Sequence, residues 1–321
     1  FDRYSENELY FAALLLGDAA AVMLFSGHKE VFYFALMLLG AKDVAFDKIL
    51  KAYILVSGAV LLSAFIASRL DIIKDLVYFN ISDFRGERNS FGTIYPTDFA
   101  AHIFFLLSAW YYVMRKKLQS YHIMAGLLIC AIIYYFCDTR LDCITMLLLV
   151  IGLWLVRKKE KWNNRAAPRI KTVGFLQTKA RWFAVIGFAV IYALSLFYMP
   201  NVSVFRCIDE MLSARLSLGN QGLQEYEFSL FGQDVILNGN GGSVIEPTQA
   251  EYFFIDSSYL YIYLCYGVVF LITILFIHYC CCKKYADDRS YLVILSVIAL
   301  NCMIAHHMID LAYNPFYLAL L

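Results

Sequence analysis

The stretch SYLYIYLCYGVVFLITILFIHY (258–279) contains no Asp, Glu, Lys or Arg over 22 residues. A helix of this length rises by about 33 Å, enough to cross a hydrocarbon core of about 30 Å, so the stretch predicts a transmembrane helix. The requirement of roughly 17 to 25 mostly apolar residues per span gives about ten candidate spans over the whole chain, this one included. They lie near residues 9–25, 31–47, 52–68, 98–114, 121–137, 141–156, 182–199, 258–279, 290–309 and from 315 onward.

The composition agrees with a membrane location. Of the 321 residues 61% are hydrophobic and only 17% are charged, and the mean hydropathy is +0.62. A soluble domain does not need that much apolar surface. The predicted fold is therefore all-α: a polytopic bundle of about ten or more spans, forming a single membrane domain over residues 1–321, with a large external loop that contains short amphipathic helices.

Charge and cysteine usage exclude several other classes of protein. The formal net charge of +1 gives no basic field for a nucleic acid. The nine cysteines follow no paired spacing, and neither CxxC nor a Cys/His metal pattern occurs. We therefore expect no disulfide, no metal site and no cofactor. Because the chain begins with Phe1 and ends within an apolar run, we also expect missing or trimmed termini.

The distribution of basic residues predicts the topology. Residues 157–181 carry nine Lys and Arg, which the positive-inside rule assigns to the cytoplasm. Counting spans from there makes the hydrophilic segments 69–97 and 200–257 external. Six of the eight basic residues assigned to the external side are arginines. Arginine binds phosphate or carboxylate in a bidentate manner, so this bias favours an external anion site, although small numbers could also produce it.

The first external segment opens with RLDIIKDLVYF (69–79), whose apolar spacing predicts a helix lying in the membrane interface. The stretch RGERNSFGTIYPTDF (85–99) follows, with Arg85, Arg88 and Tyr95. Two guanidinium groups three residues apart could bind one pyrophosphate. They could instead contact lipid headgroups or pair with nearby acidic residues.

Two further arginines occupy predicted helix positions. Arg140 follows a short turn, at the start of a predicted helix, where a cation is disfavoured unless Asp138 and Asp142, or a bound phosphate, compensate it. Arg215 continues an apolar helical stripe that starts at Val204, so we expect it to point inward, where it needs an anion or must reach water. Arg206 lies off that stripe and is the weaker candidate.

The segment AHHMIDLAYNPF (305–316) is the candidate catalytic corner. At helical spacing His306 or His307 shares a face with Asp310, and such a pair can activate an imidazole as a general base. An ordinary structural hydrogen bond is the alternative. Further candidate bases are Asp98, Glu251 and Asp256. The isolated intramembrane residues Asp18 and His102 could instead serve a transporter as proton relays, or be satisfied within the bundle.

Several of these stretches together resemble the Wzy-type O-antigen and capsular polysaccharide polymerases, particularly those of Gram-positive bacteria. The resemblance covers most of the chain and rests on the order of its motifs. These are LGAKDVAFDKILK (39–51), RNSFGTIYPTDF (88–99), TRLDCITMLLL (139–149), ARLSLGNQGLQEYEFSLFGQ (214–233), DSSYLYIYLCYG (256–267) and HHMIDLAYNPF (306–316).

The resemblance implies a multi-pass glycosyltransferase of the bacterial plasma membrane, active on the external face and independent of metals. Its substrates would be undecaprenyl-pyrophosphate-linked oligosaccharides, and its partners membrane lipids and the flippase and chain-length regulator of the same pathway. Arg88, Arg140 and Arg215 would then bind pyrophosphate, with His306 or His307 near the acceptor. The Arg-rich loop pattern with a downstream glycine, found in some Gram-negative members, is not matched here.

Two alternative functions remain open beside the polymerase. An O-antigen-ligase-like transferase would share the layout and differ only in its acceptor. A transporter or flippase of lipid-linked sugars would use Asp18 and His102, but no inverted repeat and no pair of Gly/Pro-broken helices is evident in the sequence.

Overall fold

The computed structural model describes residues 4–78, 87–163, 175–239 and 252–321. These residues are mostly helical, which confirms the all-α prediction. The α-helices are α1 Glu6–Ser26, α2 Glu30–Gly40, α3 Phe46–Arg69, α4 Pro96–Met114, α5 Ser120–Cys137, α6 Arg140–Asn163, α7 Phe175–Lys179, α8 Phe183–Leu196, α9 Ser203–Met211, α10 Arg215–Glu225, α11 Ser258–Tyr261, α12 Gly267–Lys284 and α13 Arg289–Asn301. Short 3-10 turns cover Arg115–Lys117, Ala180–Trp182 and Phe316–Ala319, and a π-helical turn, Ile262–Tyr266, joins α11 to α12.

Five helices among the described residues are long and apolar enough to cross a membrane. They are α1, α3, α5, the helix over Leu176–Leu196 and the helix over Ser258–Lys284, which contains the stretch quoted first. Helices α2 and α13 are apolar but have only 11 and 13 residues. Membrane-length apolar helices are thus present, in smaller number than the sequence predicted.

Three segments that were predicted to be helical differ from the prediction. The interfacial helix predicted from RLDIIKDLVYF (69–79) is wrong over the described residues: α3 ends at Arg69, Asp71 adopts a left-handed φ of 56°, and Arg69 forms an ion pair with Asp75. Two short strands, β1 Val77–Tyr78 and β2 Arg88–Asn89, then pair antiparallel. A left-handed residue breaks the hydrogen-bond series of a helix, which is why the stripe does not continue.

The other two differences concern segments that contain candidate site residues. The stripe expected to run from Val204 to Arg215 is interrupted by left-handed φ values at Ser213 and Ala214, and α10 begins afresh at Arg215. The span predicted over 290–309 stops at Asn301, after which the chain follows successive turns. Both functional segments therefore lie at helix ends instead of within continuous helices.

The core of the bundle is built from large aromatic side chains whose hydroxyls find backbone partners. Tyr111 donates to the carbonyl oxygen of His122 at 2.9 Å, Tyr259 to that of Ala299 at 2.8 Å, and Tyr291 to that of Phe316 at 2.9 Å. A buried hydroxyl without a partner would destabilise the fold, so these bonds fix the helices relative to one another. They hold α13 and the 3-10 turn after it inside the bundle.

Segments that are distant in sequence meet at one end of this bundle. Helices α4 and α6 begin there, α5 ends there, and the chain leaves α13 there. The turns after α13 are tied to the start of α11: Ser258 donates its hydroxyl to Ala305 O at 2.5 Å and accepts from Met308 N at 3.1 Å. The end of the bundle therefore holds these segments around one cavity.

Candidate active site

A cavity of about 440 Å³ opens at this end. Its described lining comes from the two strands β1 and β2, the start of α4, the α5–α6 turn, the start of α10, residues 252–256 and residues 304–313. Segments predicted to share one side of the membrane, 69–97 and 200–257, thus contribute to one cavity. Such a convergence of polar groups in a concave site is typical of an active or binding site.

Most of the predicted site residues line this cavity, namely Arg88, Tyr95, Arg140, Arg215, His306, His307 and Asp310. Arg206 does not belong to the described lining, and it is exposed on α9. Its inclusion among the substrate-binding residues is therefore not supported by the geometry. Arg85 and Glu251 lie outside the described residues.

Arg215 is the most firmly held of the arginines. Its Nε donates to Ile304 O at 2.6 Å and its Nη1 to Leu212 O at 2.9 Å, while Nη2 lies 3.3 Å from Asp256 Oδ2. The side chain is only 11% exposed, so the expected inward orientation is confirmed. All three nitrogen positions are engaged, and Arg215 joins α10 to Asp256 and to the turns after α13.

The position of Arg215 depends on a carboxylate from the preceding helix. Asp209 of α9 accepts from the backbone N–H groups of Leu216 at 2.8 Å and Ser217 at 3.1 Å. These N–H groups belong to the first turn of α10, where the helix itself offers no carbonyl partner, so the Asp209 carboxylate caps α10 across the Ser213–Ala214 break, in place of a side chain at the N-cap residue Ala214. The cap sets where α10 begins and thus aims Arg215 at the cavity.

Arg88 and Arg140 lie together at the α5–α6 turn. Arg88 is in β2, and its Nε donates to Cys137 O, the last residue of α5, at 3.1 Å. Arg140 is the first residue of α6, as predicted, and its Nε lies 3.6 Å from Asp138 Oδ1. The Arg140 side chain is 57% exposed, so the cost of a cation at a helix N-terminus is reduced by solvent and by Asp138. The Arg140 guanidinium therefore faces the cavity and is held by little besides the ion pair with Asp138.

The two histidines do not pair with Asp310 in the predicted way. Asp310 is exposed and its Oδ1 accepts from Ala312 N at 2.9 Å, and no hydrogen bond between Asp310 and His306 or His307 occurs among the described residues. The i,i+3 and i,i+4 relations require a helix, and α13 has already ended at Asn301. The predicted His–Asp pair is therefore wrong, although all three side chains line the cavity.

His307 is held by ring stacking instead. Its imidazole stacks on Tyr313 with centroids 3.7 Å apart, and His102 of α4 stacks on Tyr313 with centroids 3.8 Å apart. Its Nδ1 is buried and has no hydrogen-bond partner among the described residues. Burial lowers the pKa of His306 and lowers that of His307 well below its ordinary value, so both rings are neutral near neutral pH. A neutral imidazole is able to accept a proton.

The carboxylates of the cavity outnumber its arginines. Five line it, Asp98, Asp138, Asp142, Asp256 and Asp310, against three guanidinium groups among the described lining residues. Asp98 accepts from Tyr95 N at 3.2 Å at the start of α4, and Asp142 is buried in the first turn of α6. The sequence raised Asp142 only as a counter-charge for Arg140. The sequence did contain a signal for Asp142 as a lining residue, because it follows Arg140 by two residues at the start of the same predicted helix.

Aromatic side chains complete the lining. Tyr78 packs against Tyr95 with ring centroids 5.7 Å apart, and Tyr252 and Phe254 also line the cavity. Burial raises the pKa of Tyr78 and of Tyr252 to about 12, so both remain protonated donors. Sequence reasoning missed Tyr78, Tyr252 and Phe254, because nothing local marks a loop aromatic as cavity-facing. Carboxylates, phenols and rings together can bind a polyol, and the arginines can bind an anion.

Among the described residues no group of three or more His, Cys, Asp and Glu side chains is arranged to hold a metal ion. Comparisons with protein-family models, with curated proteins and with solved structures found no match.

Proposed function

We propose that this protein is a membrane glycosyltransferase that polymerises undecaprenyl-pyrophosphate-linked oligosaccharide repeat units into a surface polysaccharide. In this proposal it is a multi-pass protein of the bacterial plasma membrane with about ten spans: the five membrane-length apolar helices, then α2, α4, α6 and α13, and the segment from residue 315 onward. The cavity faces outward. Its partners are the flippase that delivers the repeat unit and the regulator of chain length.

One observation carries the proposal. Residues singled out for anion binding and for proton transfer, from four segments far apart in the sequence, line the same cavity. The lining has a place for each part of such a substrate: guanidinium groups for pyrophosphate, carboxylates and aromatic rings for sugar hydroxyls and ring faces, and neutral imidazoles for a proton. A metal or nucleotide has no role in the proposal.

The reaction is a substitution at the anomeric carbon. An acceptor sugar hydroxyl forms the new C–O bond, the bond between the anomeric carbon and the pyrophosphate oxygen breaks, and the electron pair leaves with the lipid pyrophosphate. The hydroxyl proton passes to His306 or His307. Arg88 and Arg140 stabilise the negative charge that develops on the leaving group.

The test is reconstitution of the purified protein with a lipid-linked repeat unit, with the products resolved by size. We expect a ladder spaced by one repeat. Arg140→Ala should reduce its rate by about 100-fold, the range found when a donor to a developing oxyanion is removed. Arg206→Ala is the matched control, because Arg206 is an exposed arginine outside the described lining, and its ladder should be unchanged.

Three results would contradict the proposal. A single transfer to a different acceptor would identify a ligase, and transbilayer movement without any new glycosidic bond would identify a transporter. An equal loss of polymerisation rate in Arg140→Ala and Arg206→Ala would show that this cavity is not the active site. The transporter alternative needs Asp18 and His102 on one path, whereas Asp18 accepts from Thr273 of α12 at 2.8 Å and His102 stacks on Tyr313.

A further inference from the structure

A second cavity, of about 660 Å³, lies along α3 beside the first. Most of its lining is aliphatic, including Ile49, Val56, Val60 and Leu61. On α3 the lining extends from Ile49 to Ala64, which corresponds to about 22 Å along the helix axis. The cavity is therefore long and apolar.

The cavity opens toward the surface that lipid would cover. Helix α3 is one of the five membrane-length helices, and few of its residues are buried inside the protein. Val56 and Val60, which line the cavity, are 61% and 65% exposed. An apolar surface of this kind at membrane depth contacts hydrocarbon and not water.

Two of the hydroxyl groups along the cavity already have partners within the protein. The Tyr53 hydroxyl donates to Tyr313 O at 2.6 Å, and the Thr93 hydroxyl donates to Ser90 O at 2.7 Å or Tyr95 O at 2.8 Å. Because these donors are engaged, the lining offers little to a chain of water molecules. A hydrocarbon chain is the better match.

Only a thin partition separates the two cavities. Tyr313 lines the polar cavity and stacks on His102, which lines the apolar cavity. Two consecutive residues show the same division: Asp310 lines the polar cavity and Leu311 lines the apolar one. A ligand with a charged head and an apolar tail could therefore occupy both, passing around this partition.

We propose that the apolar cavity holds the isoprenoid chain of the lipid whose pyrophosphate lies in the polar cavity. The inference rests on the proposed function and adds the place and the residues of chain binding. Two features favour a single long chain over a membrane phospholipid. The lining runs about 22 Å, beyond the roughly 15 Å of one leaflet, and one cavity beside one head-group site suits one chain, not two.

The test measures binding to the full chain in detergent, without turnover, using undecaprenyl pyrophosphate, geranyl pyrophosphate, inorganic pyrophosphate and diacyl phosphatidic acid as probes. The wild-type protein should bind undecaprenyl pyrophosphate at least about tenfold more tightly than geranyl pyrophosphate, because burial of a few additional methylene groups supplies that factor. Phosphatidic acid should bind no better than geranyl pyrophosphate.

Val60→Trp fills the cavity, and Leu62→Trp is the matched control, since Leu62 is 59% exposed on α3 but is not part of the described lining. Val60→Trp should abolish the preference for the long chain and leave inorganic pyrophosphate binding unchanged, whereas Leu62→Trp should change neither. Val56→Trp, at a second exposed lining position, is measured in parallel in case one variant does not fold.

Each other result overturns the inference in a recognisable way. If geranyl and undecaprenyl pyrophosphate bind equally, or if neither lining variant alters the preference, the chain is bound elsewhere and the proposed function is untouched. If phosphatidic acid binds best and loses affinity in Val60→Trp, the cavity holds a phospholipid. If no pyrophosphate probe binds, the proposed function fails and the inference with it.

Discussion

The pairing of Arg215 with Asp256 makes a quantitative prediction about stability. We consider Arg215→Met, Asp256→Asn and the double variant. The methionine retains most of the side-chain volume but leaves Ile304 O, Leu212 O and Asp256 without their donor. The asparagine leaves Arg215 with both carbonyl contacts. The first substitution should therefore cost more than the second.

The magnitudes follow from the geometry. At 3.3 Å and an effective dielectric constant of about 20 the charges attract by about 5 kcal/mol before desolvation is counted. With side chains 11% and 25% exposed, we expect a coupling free energy of about 2–3 kcal/mol, above the value of about 1 kcal/mol or less typical of exposed pairs. Arg215→Met should destabilise by about 3–5 kcal/mol and Asp256→Asn by about 1–2 kcal/mol.

The assay is equilibrium unfolding in mixed micelles, followed through the four tryptophans, for all members of the double-mutant cycle. A coupling below about 0.5 kcal/mol, with equal costs for the two single variants, would refute the reasoning. Such a result would mean that water reaches the pair and that Arg215 does not brace the cavity. Its guanidinium would then be as available to a ligand as that of Arg140.

Three further predictions concern elements around the cavity. Asp209→Ala removes the cap of α10 and should cost about 1–2 kcal/mol in the same unfolding assay, and full stability would show that the cap is dispensable. Gly232→Ala would bring a Cβ to 2.2 Å from a backbone oxygen at a φ of 87°, so it should cost more than about 2 kcal/mol. Gly239→Ala, with its nearest contact at 3.5 Å, should cost less than about 0.5 kcal/mol, and equal losses would contradict the packing. Burial lowers the folded pKa values of His306 and His307, so the unfolded chain binds more protons at these two residues, and their own contribution to stability should fall as the pH drops below 6.5, the ordinary value. His307→Asn should flatten that dependence, and an unchanged slope would show that His307 is protonated in the folded state.

The fold class could be predicted because hydropathy along the chain reports on removal from water, and because long apolar stretches of this kind form membrane-length helices. The charge-free stretch from 258 is the start of a membrane-length helix, although a π-helical turn interrupts it, a local feature that composition does not encode. The count of spans was less predictable. Apolar residues also occur in short helices such as α2 and α13, of which α13 is mostly buried within the protein, and hydropathy does not distinguish protein from lipid as the surroundings.

The site was predicted in its residues better than in its geometry. Arg88, Arg140 and Arg215 were identified by residue type and position, and all three line the cavity. The helical relation assumed for His306 and Asp310 failed because helix ends depend on tertiary contacts, here those between the turns after Asn301 and Ser258. No local rule brings Tyr313 between two histidines from different segments.

The charges of the cavity argue for a division of labour among its arginines. With both histidines neutral, five carboxylates against three guanidinium groups give the described lining a formal charge of −2, which by itself repels pyrophosphate. The groups are not mixed evenly, however: at the α5–α6 turn Asp138 and Asp142 balance Arg88 and Arg140, whereas the rest of the described lining has Asp98, Asp256 and Asp310 against Arg215 alone. Arg215 is committed to Asp256 and two carbonyls, whereas Arg140 is largely exposed beside Arg88 at the α5–α6 turn.

An anion is therefore best accommodated at that turn, where two guanidinium groups and the N-terminus of α6 coincide. The carboxylates toward Asp256 then face the uncharged saccharide, whose hydroxyls donate to them. On this argument Arg140→Ala should impair turnover in a protein of nearly normal stability, since its one described ion pair is exposed. Arg215→Met should impair stability first. A protein in which both substitutions lowered turnover and spared stability would require Arg215 to leave Asp256 when substrate binds.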